Sequence, residues 1–170
     1  MTKPIKAWWF GNTLRYDDGR VAEKNAEHSI GSDETPECCS CGMHASVSLC
    51  DALRYANGCT MLWRVEISGD VDKGDNKISG RHRRYLAGCD VEKVLRRFAC
   101  DCALDVLPDD APPIILRYLT EMREEDRRAA YRAADWAAYR AAYRAEQMRK
   151  YKIKLTAMVR AEFKRQGELV

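Results

Sequence analysis

The sequence predicts an α+β fold with a small mixed or antiparallel sheet, packed helices and a long C-terminal helix. Three features of the chain indicate this class. Segments that alternate apolar and polar residues stand next to Gly and Asn, other segments carry apolar residues at helical spacing, and a run rich in Ala, Arg and Tyr follows them. We expect an α+β body over residues 1–110 and a helical region over residues 111–170.

Two strands are predicted first in this body. Residues 5–10 are rich in aromatic side chains and precede a Gly-Asn pair, and residues 61–67 alternate apolar with polar side chains. A polar hairpin turn over residues 70–77 then leads to a further strand over residues 79–86. Residues 16–42 contain many turn-forming residues, so we expect this stretch to be mostly turns and loop, with short strand pieces as the alternative.

Three short helices are predicted before the tail. A serine can cap the first, which we expect to end at Asn57-Gly58 in a left-handed conformation. Asp90 can cap the second, whose apolar residues recur at helical spacing. Pro112 or Pro113 can occupy the first turn of the third helix. Proline has no backbone N–H, and the N–H groups of a helix's first turn have no partner within the helix, so no hydrogen bond is lost.

The tail contains a four-residue repeat in which pairs of alanines separate Arg, Tyr, Trp and Asp over residues 128–143. Since alanine and arginine favour helix, we expect one long helix over about residues 121–165. A period of four drifts by ~40° per repeat on a helix of 3.6 residues per turn, so the aromatic stripe winds around the axis. Aromatic and arginine side chains anchor many interfaces. The predicted interaction residues are Tyr131, Arg132, Trp136, Tyr139, Arg140, Tyr143 and Arg144.

A second candidate interaction patch is the basic segment formed by Arg81, Arg83 and Arg84 beside an aromatic residue. Such a segment can hold a phosphate or an acidic partner surface. A charged, solvated strand edge is the alternative.

Composition limits the classes of function. The chain has 170 residues, 46% of them hydrophobic and 32% charged, which suits one small folded domain with an appendage. Its formal net charge of +3 is weaker than that of a dedicated nucleic-acid binder. We therefore expect a protein partner or self-association through the tail helix, with nucleic acid bound by the Arg/Tyr helix as an alternative.

The cysteines and the N-terminal residues bear on the compartment. No apolar run is long enough to span a membrane, and no secretory signal opens the chain, so we expect a cytoplasmic protein whose eight cysteines are reduced. The spacing of Cys38, Cys41 and His44 suits part of a zinc site. Because a second, separated ligand pair is missing, we assign no metal and keep zinc at these three residues as the alternative.

Several motifs resemble those of a family of small bacteriophage proteins that has no assigned activity. They are KAWWF at residues 6–10, CGMHAS at 41–46, DALRYA at 51–56, LWRVEISG at 62–69 and the segment from 75 to 85. The resemblance covers about residues 5–107, with Trp9 where the family pattern has histidine. It implies an accessory protein in the cytoplasm of an infected host, which binds a host or phage macromolecule and counters a bacterial defence system. It carries over no catalytic residue.

The same central segment is similar to the middle of ADP-ribosyltransferase folds. That similarity implies an NAD-binding enzyme, or an inactive relative, with His44, Ser46 and Tyr55 at the ligand. However, Trp9 replaces the possible first-strand histidine, and no late glutamate matches the catalytic one. We therefore assign no catalytic residue and no cofactor, and we keep NAD as the alternative.

Overall fold

The computed structural model describes residues 3–12, 19–105, 107, 111–127 and 145–168, with the backbone alone at 145–149. In chain order, its elements are β1 (Ile5–Phe10), β2 (Glu27–Ser29), β3 (Met43–Ala45), α1 (Leu49–Leu53), β4 (Met61–Lys73), β5 (Ile78–Asp90), α2 (Glu92–Leu104), α3 (Pro113–Glu121), a 3-10 turn (Glu124–Asp126) and α4 (Ala145–Arg165). Five antiparallel strands and packed helices confirm the predicted α+β class.

The sheet is built around the long β4–β5 hairpin. Its turn is closed by the Gly74 N–H, which donates to the carbonyl of Lys77 at 3.0 Å, at the position where a polar turn was predicted. β1 pairs with β4, while β2 and β3 both pair with β5. Beyond β3, Trp8 and Ser46 exchange two backbone hydrogen bonds of 2.7 and 2.9 Å. The hydrogen-bonded path therefore returns from β3 to β1 and encloses a core.

Apolar side chains from four strands fill this core. Val65, Ile67 and Tyr85 are fully buried, and Met43 and Ala45 of β3 pack against them. Every second residue of β4 from Met61 to Ile67 contributes here, as the alternating pattern of residues 61–67 predicted. β2 and β3 have three residues each, too few for such a pattern to be recognised.

The chain divides into two compact units, Met1–Glu92 with Thr156–Val170 and Lys93–Leu155. In the first unit the end of α4 packs beside β1, where the ring of Phe163 lies edge-on to Trp8 with centroids 5.9 Å apart. Val159 and Phe163 are fully buried, so the last turns of the chain form part of this unit's core.

The second unit is helical. Cys100 of α2 packs with Ile115 and Leu119 of α3, and these side chains form a small apolar core. Lys154 of α4 lies 2.8 Å from the carboxylate of Asp101. Burial alone would raise the pKa of Asp101, but hydrogen bonds from Lys154 and Arg97 outweigh it and lower that pKa.

The helix boundaries agree in part with the predictions. The Asp90 side chain accepts the Glu92 N–H at 2.9 Å, as expected for the cap of α2. Asn57 and Gly58 are left-handed, with φ of 48° and 80°, although α1 already ends at Leu53.

The long helix expected over about 121–165 is described only in its C-terminal part. α3 ends at Glu121 because Met122 is left-handed, with φ of 56°, so no continuous helix runs through this position. Residues 128–144 lie outside the described ranges, and α4 ends at Arg165, the predicted limit. None of the described helices has the length and apolar character that crossing a membrane requires.

Candidate functional site

A cleft of about 980 Å³ opens on the first unit. It is lined by the C-terminal end of β1, by β3, by the segment after β2 and by residues around α1. Four aromatic residues contribute to its walls: Trp8, Trp9, Phe10 and Tyr55. Its volume lies at the upper end of the range typical of small-molecule sites, about 300–1,000 Å³.

Arg83 is the most unusual residue of this cleft. Its side chain is charged, yet only 2% of the residue is exposed. Its guanidinium carbon lies 3.8 Å from the centre of the Trp9 ring, which is a close cation–π contact. Its Nη1 donates to the backbone carbonyl of His44 at 2.9 Å. β1, β3 and β5 therefore all hold this one side chain.

Arg83 belongs to a hydrogen-bonded chain that continues through Tyr85 to His28. Its Nε donates to the hydroxyl of Tyr85 at 3.0 Å, and that hydroxyl lies 3.0 Å from Nδ1 of His28. Tyr85 is fully buried and His28 is 8% exposed. The orientation of the guanidinium thus depends on β2 as well as on β1, β3 and β5.

No carboxylate among the described residues forms an ion pair with Arg83. Burial lowers the pKa of its guanidinium, Tyr85 partly offsets that effect, and the nearby positive charge of Arg20 adds to it. The Nη2 atom is buried without a hydrogen-bond partner in the described part of the chain. A buried cation in this state is costly unless something neutralises it.

The rest of the cleft carries two further cations. Arg20 lines it, and so does Lys77, whose ammonium lies 5.0 Å from the centre of the Tyr55 ring. Glu34 is the one acidic residue among the described lining residues. Its carboxylate already accepts the Gly31 N–H at 2.7 Å and the Cys41 thiol at 3.5 Å.

The three residues linked to NAD by resemblance all line this cleft. His44 contributes its carbonyl to Arg83, and Ser46 is 2% exposed and paired to Trp8 through its backbone. Tyr55 is 42% exposed, and its hydroxyl donates to the side-chain carbonyl of Asn76 at 2.5 Å. Residues separated by up to eleven positions in the sequence therefore line the same cleft.

The three arginines predicted as a second patch do not form one surface. Arg81 donates to the carbonyls of Gly31 and Glu34 at 2.8 and 2.9 Å and is half-buried. Arg83 is buried in the cleft, whereas Arg84 is exposed. Successive residues of a strand point to opposite faces, so Arg83 and Arg84 cannot act together.

The candidate zinc ligands are used in other ways. The Cys38 thiol lies 3.6 Å from the carbonyls of Asp72 and Lys77, and burial raises its pKa. Cys41 contacts Glu34, and the backbone of His44 serves Arg83. Across the described ranges no three His, Cys, Asp or Glu side chains are grouped as metal ligands. The structure therefore does not bring Cys38, Cys41 and His44 together as a zinc site.

The predicted interaction residues of the tail lie outside the described residues. These are Tyr131, Arg132, Trp136, Tyr139, Arg140, Tyr143 and Arg144. Their role as an interaction surface stays a prediction.

Sequence reasoning missed the roles of Trp9 and His28 and the burial of Arg83. One signal was available in the strand over residues 79–86, because alternate residues share a face of a strand. Arg83 therefore lies on the same face as Tyr85, an aromatic residue expected to be buried. What contacts Arg83 could not be inferred, since the pairing of β2 and β3 with β5 was not predicted.

Comparisons with protein-family models, with curated proteins and with solved structures gave no match to this chain.

Proposed function

We propose that this protein binds a small molecule of nucleotide size in the cleft of its first unit. The observation that carries the proposal is the cleft itself, which is about 980 Å³ in volume and lined by four aromatic residues. Aromatic side chains at a concave surface stack on flat ring systems and fix their orientation. NAD is the first ligand to test, because His44, Ser46 and Tyr55 all line the cleft.

Isothermal titration with NAD and with adenosine tests this proposal. We expect saturable binding that Tyr55→Ala weakens, because this exposed side chain contributes a ring to the wall and its loss does not open the core. Val47→Ala is the matched control, since Val47 is 59% exposed and lies outside the lining. If neither compound binds, or if both variants bind like the wild type, the cleft is not the ligand site.

We also propose that the Arg/Tyr/Trp repeat binds a macromolecule, most simply a protein, as expected of a phage accessory protein that counters a host defence. What supports this is the sequence, in which four aromatic residues and three arginines recur among alanines over residues 131–144. Replacing Trp136, Tyr139 and Tyr143 by alanine keeps helix propensity and removes the anchors.

A pull-down from host lysate tests the repeat, with nuclease-treated lysate alongside. We expect a stoichiometric protein that resists nuclease and is lost with the triple alanine variant. Partners that vanish after nuclease favour the nucleic-acid alternative. Identical capture by the wild type and the triple variant removes the repeat from the hypothesis.

A further inference from the structure

Arg83 is buried with no acidic partner among the described residues, which points to a missing negative charge. A guanidinium is effectively always protonated, so burying it leaves a positive charge in the protein interior. The ring of Trp9 at 3.8 Å offsets part of this charge, but the neighbouring Arg20 adds to the local positive potential. Within the described residues no carboxylate neutralises the remaining positive charge of Arg83.

The N–H groups of the Arg83 guanidinium indicate which kind of ligand could supply the negative charge. A guanidinium has five N–H donors in one plane. Two of them are used, one by the hydroxyl of Tyr85 and one by the carbonyl of His44. Nη2 is buried and has no partner among the described residues. The unused donors lie at the end of the fork, where the oxygens of a phosphate or carboxylate bind.

The guanidinium is also held in place before any ligand arrives. Tyr85 and His44 fix two of its nitrogens, and Trp9 covers one of its faces. A group that needs no ordering on binding loses little entropy when it meets its ligand. A side chain buried merely to fill the core would not need this arrangement, since an apolar residue would fill it at lower cost.

We propose that the cleft binds its ligand through an oxyanion of the phosphate class, with Arg83 as the anion-binding residue. The cation Lys77 also lines the cleft, and the carboxylate of Glu34 is engaged by Gly31 and Cys41. The ligand is then a phosphorylated compound of nucleotide size, or inorganic phosphate itself. This inference rests on the cleft being the ligand site proposed above.

The first test uses the wild-type protein and inorganic phosphate. The Nε–H of Arg83 is buried and hydrogen-bonded, so its ¹⁵N–¹H signal is distinct from those of exposed arginines, and its loss in Arg83→Lys assigns it. We expect this signal to shift saturably with phosphate and not with sodium chloride at equal ionic strength. A signal that does not move with phosphate overturns the proposal.

The second test compares AMP with adenosine by isothermal titration. We expect AMP to bind more tightly than adenosine, inorganic phosphate to compete with AMP, and Arg83→Gln to weaken AMP binding by about 10- to 100-fold. Arg84→Gln is the matched control, because Arg84 is the exposed neighbour on the same strand. Equal binding of AMP and adenosine overturns the anion site and leaves the proposed ligand cleft standing. Binding of phosphate without adenosine or AMP supports the anion site and contradicts the nucleotide-sized ligand.

Discussion

At the scale of single residues, Tyr85 determines how Arg83 is held. Its hydroxyl accepts the Nε–H of Arg83 and lies 3.0 Å from Nδ1 of His28, so it serves two buried polar groups at once. Because Nε can only donate, we expect the Tyr85 proton to point to His28, which would then carry its own proton on Nε2. The ¹⁵N shifts of the His28 ring check this tautomer.

Tyr85→Phe removes this shared hydroxyl without changing the shape of the core. We expect the free energy of unfolding to fall by about 1–3 kcal/mol, since a buried guanidinium donor loses its partner. Urea unfolding measures the change. Tyr55→Phe, at an exposed hydroxyl, is the control and is expected to change stability by less than about 0.5 kcal/mol. Equal effects of the two substitutions would contradict the role of Tyr85.

Cysteine reactivity is a second prediction at this scale. Cys89 is almost fully buried, and burial, followed by the charges of Glu162 and Asp90, raises its pKa to about 11. Cys39 is exposed. Because the thiolate is the reactive form, iodoacetamide at mildly alkaline pH should modify Cys39 early and Cys89 late, as followed by mass spectrometry. In denaturant, both cysteines should be labelled fast. If Cys89 is labelled as fast as Cys39 in the folded protein as well, Cys89 is not buried.

At the scale of elements, an ion pair joins α3 to the 3-10 turn. Arg117 holds the buried carboxylate of Asp126 through two hydrogen bonds of 2.6 Å each. The left-handed Met122 turns the chain between them. Hydrogen bonds from Arg117 hold the pKa of Asp126 below its ordinary value of 3.8.

This ion pair predicts a specific acid dependence of stability. A carboxylate with a lower pKa in the folded chain stabilises it fully above the ordinary value of 3.8, and the effect is lost as pH falls through the folded pKa. Asp126→Asn should therefore flatten the acid side of the unfolding profile in urea and lower stability at neutral pH. Asp75→Asn, in the exposed hairpin turn, is the control. An unchanged acid profile in Asp126→Asn would show that the pair contributes nothing.

At the scale of the whole molecule, the cleft belongs to one of the two units. All of its lining residues fall within Met1–Glu92, and none of them falls within Lys93–Leu155. A ligand that binds only the folded state protects the segments that form its site from hydrogen exchange. With AMP as the probe, we expect slower exchange in β1, β3 and α1 and no change over residues 93–127. Protection confined to the second unit would contradict the assignment of the cleft.

The strands and helices that were predicted correctly are those with strong local signals. Residues 5–10 and 61–67 show the composition and alternation of strands, and the Asp90 cap marks the start of α2. β2 and β3 carried no such signal in three residues each. The left-handed conformation of Met122, where α3 ends, had no sequence signal either, because a methionine rarely takes it.

The sequence by itself determined the α+β class and the main strands, because alternation, turn residues and caps act between near neighbours. Only the tertiary structure decided the state of Arg83. Tyr85 is a neighbour on the same strand, but His28 and His44 join it there only because β2 and β3 pair with β5 across long stretches of chain. Burial and lost hydration arise from those distant contacts, so one arginine of a basic segment became the buried charge of a cleft while its neighbour Arg84 stayed in solvent.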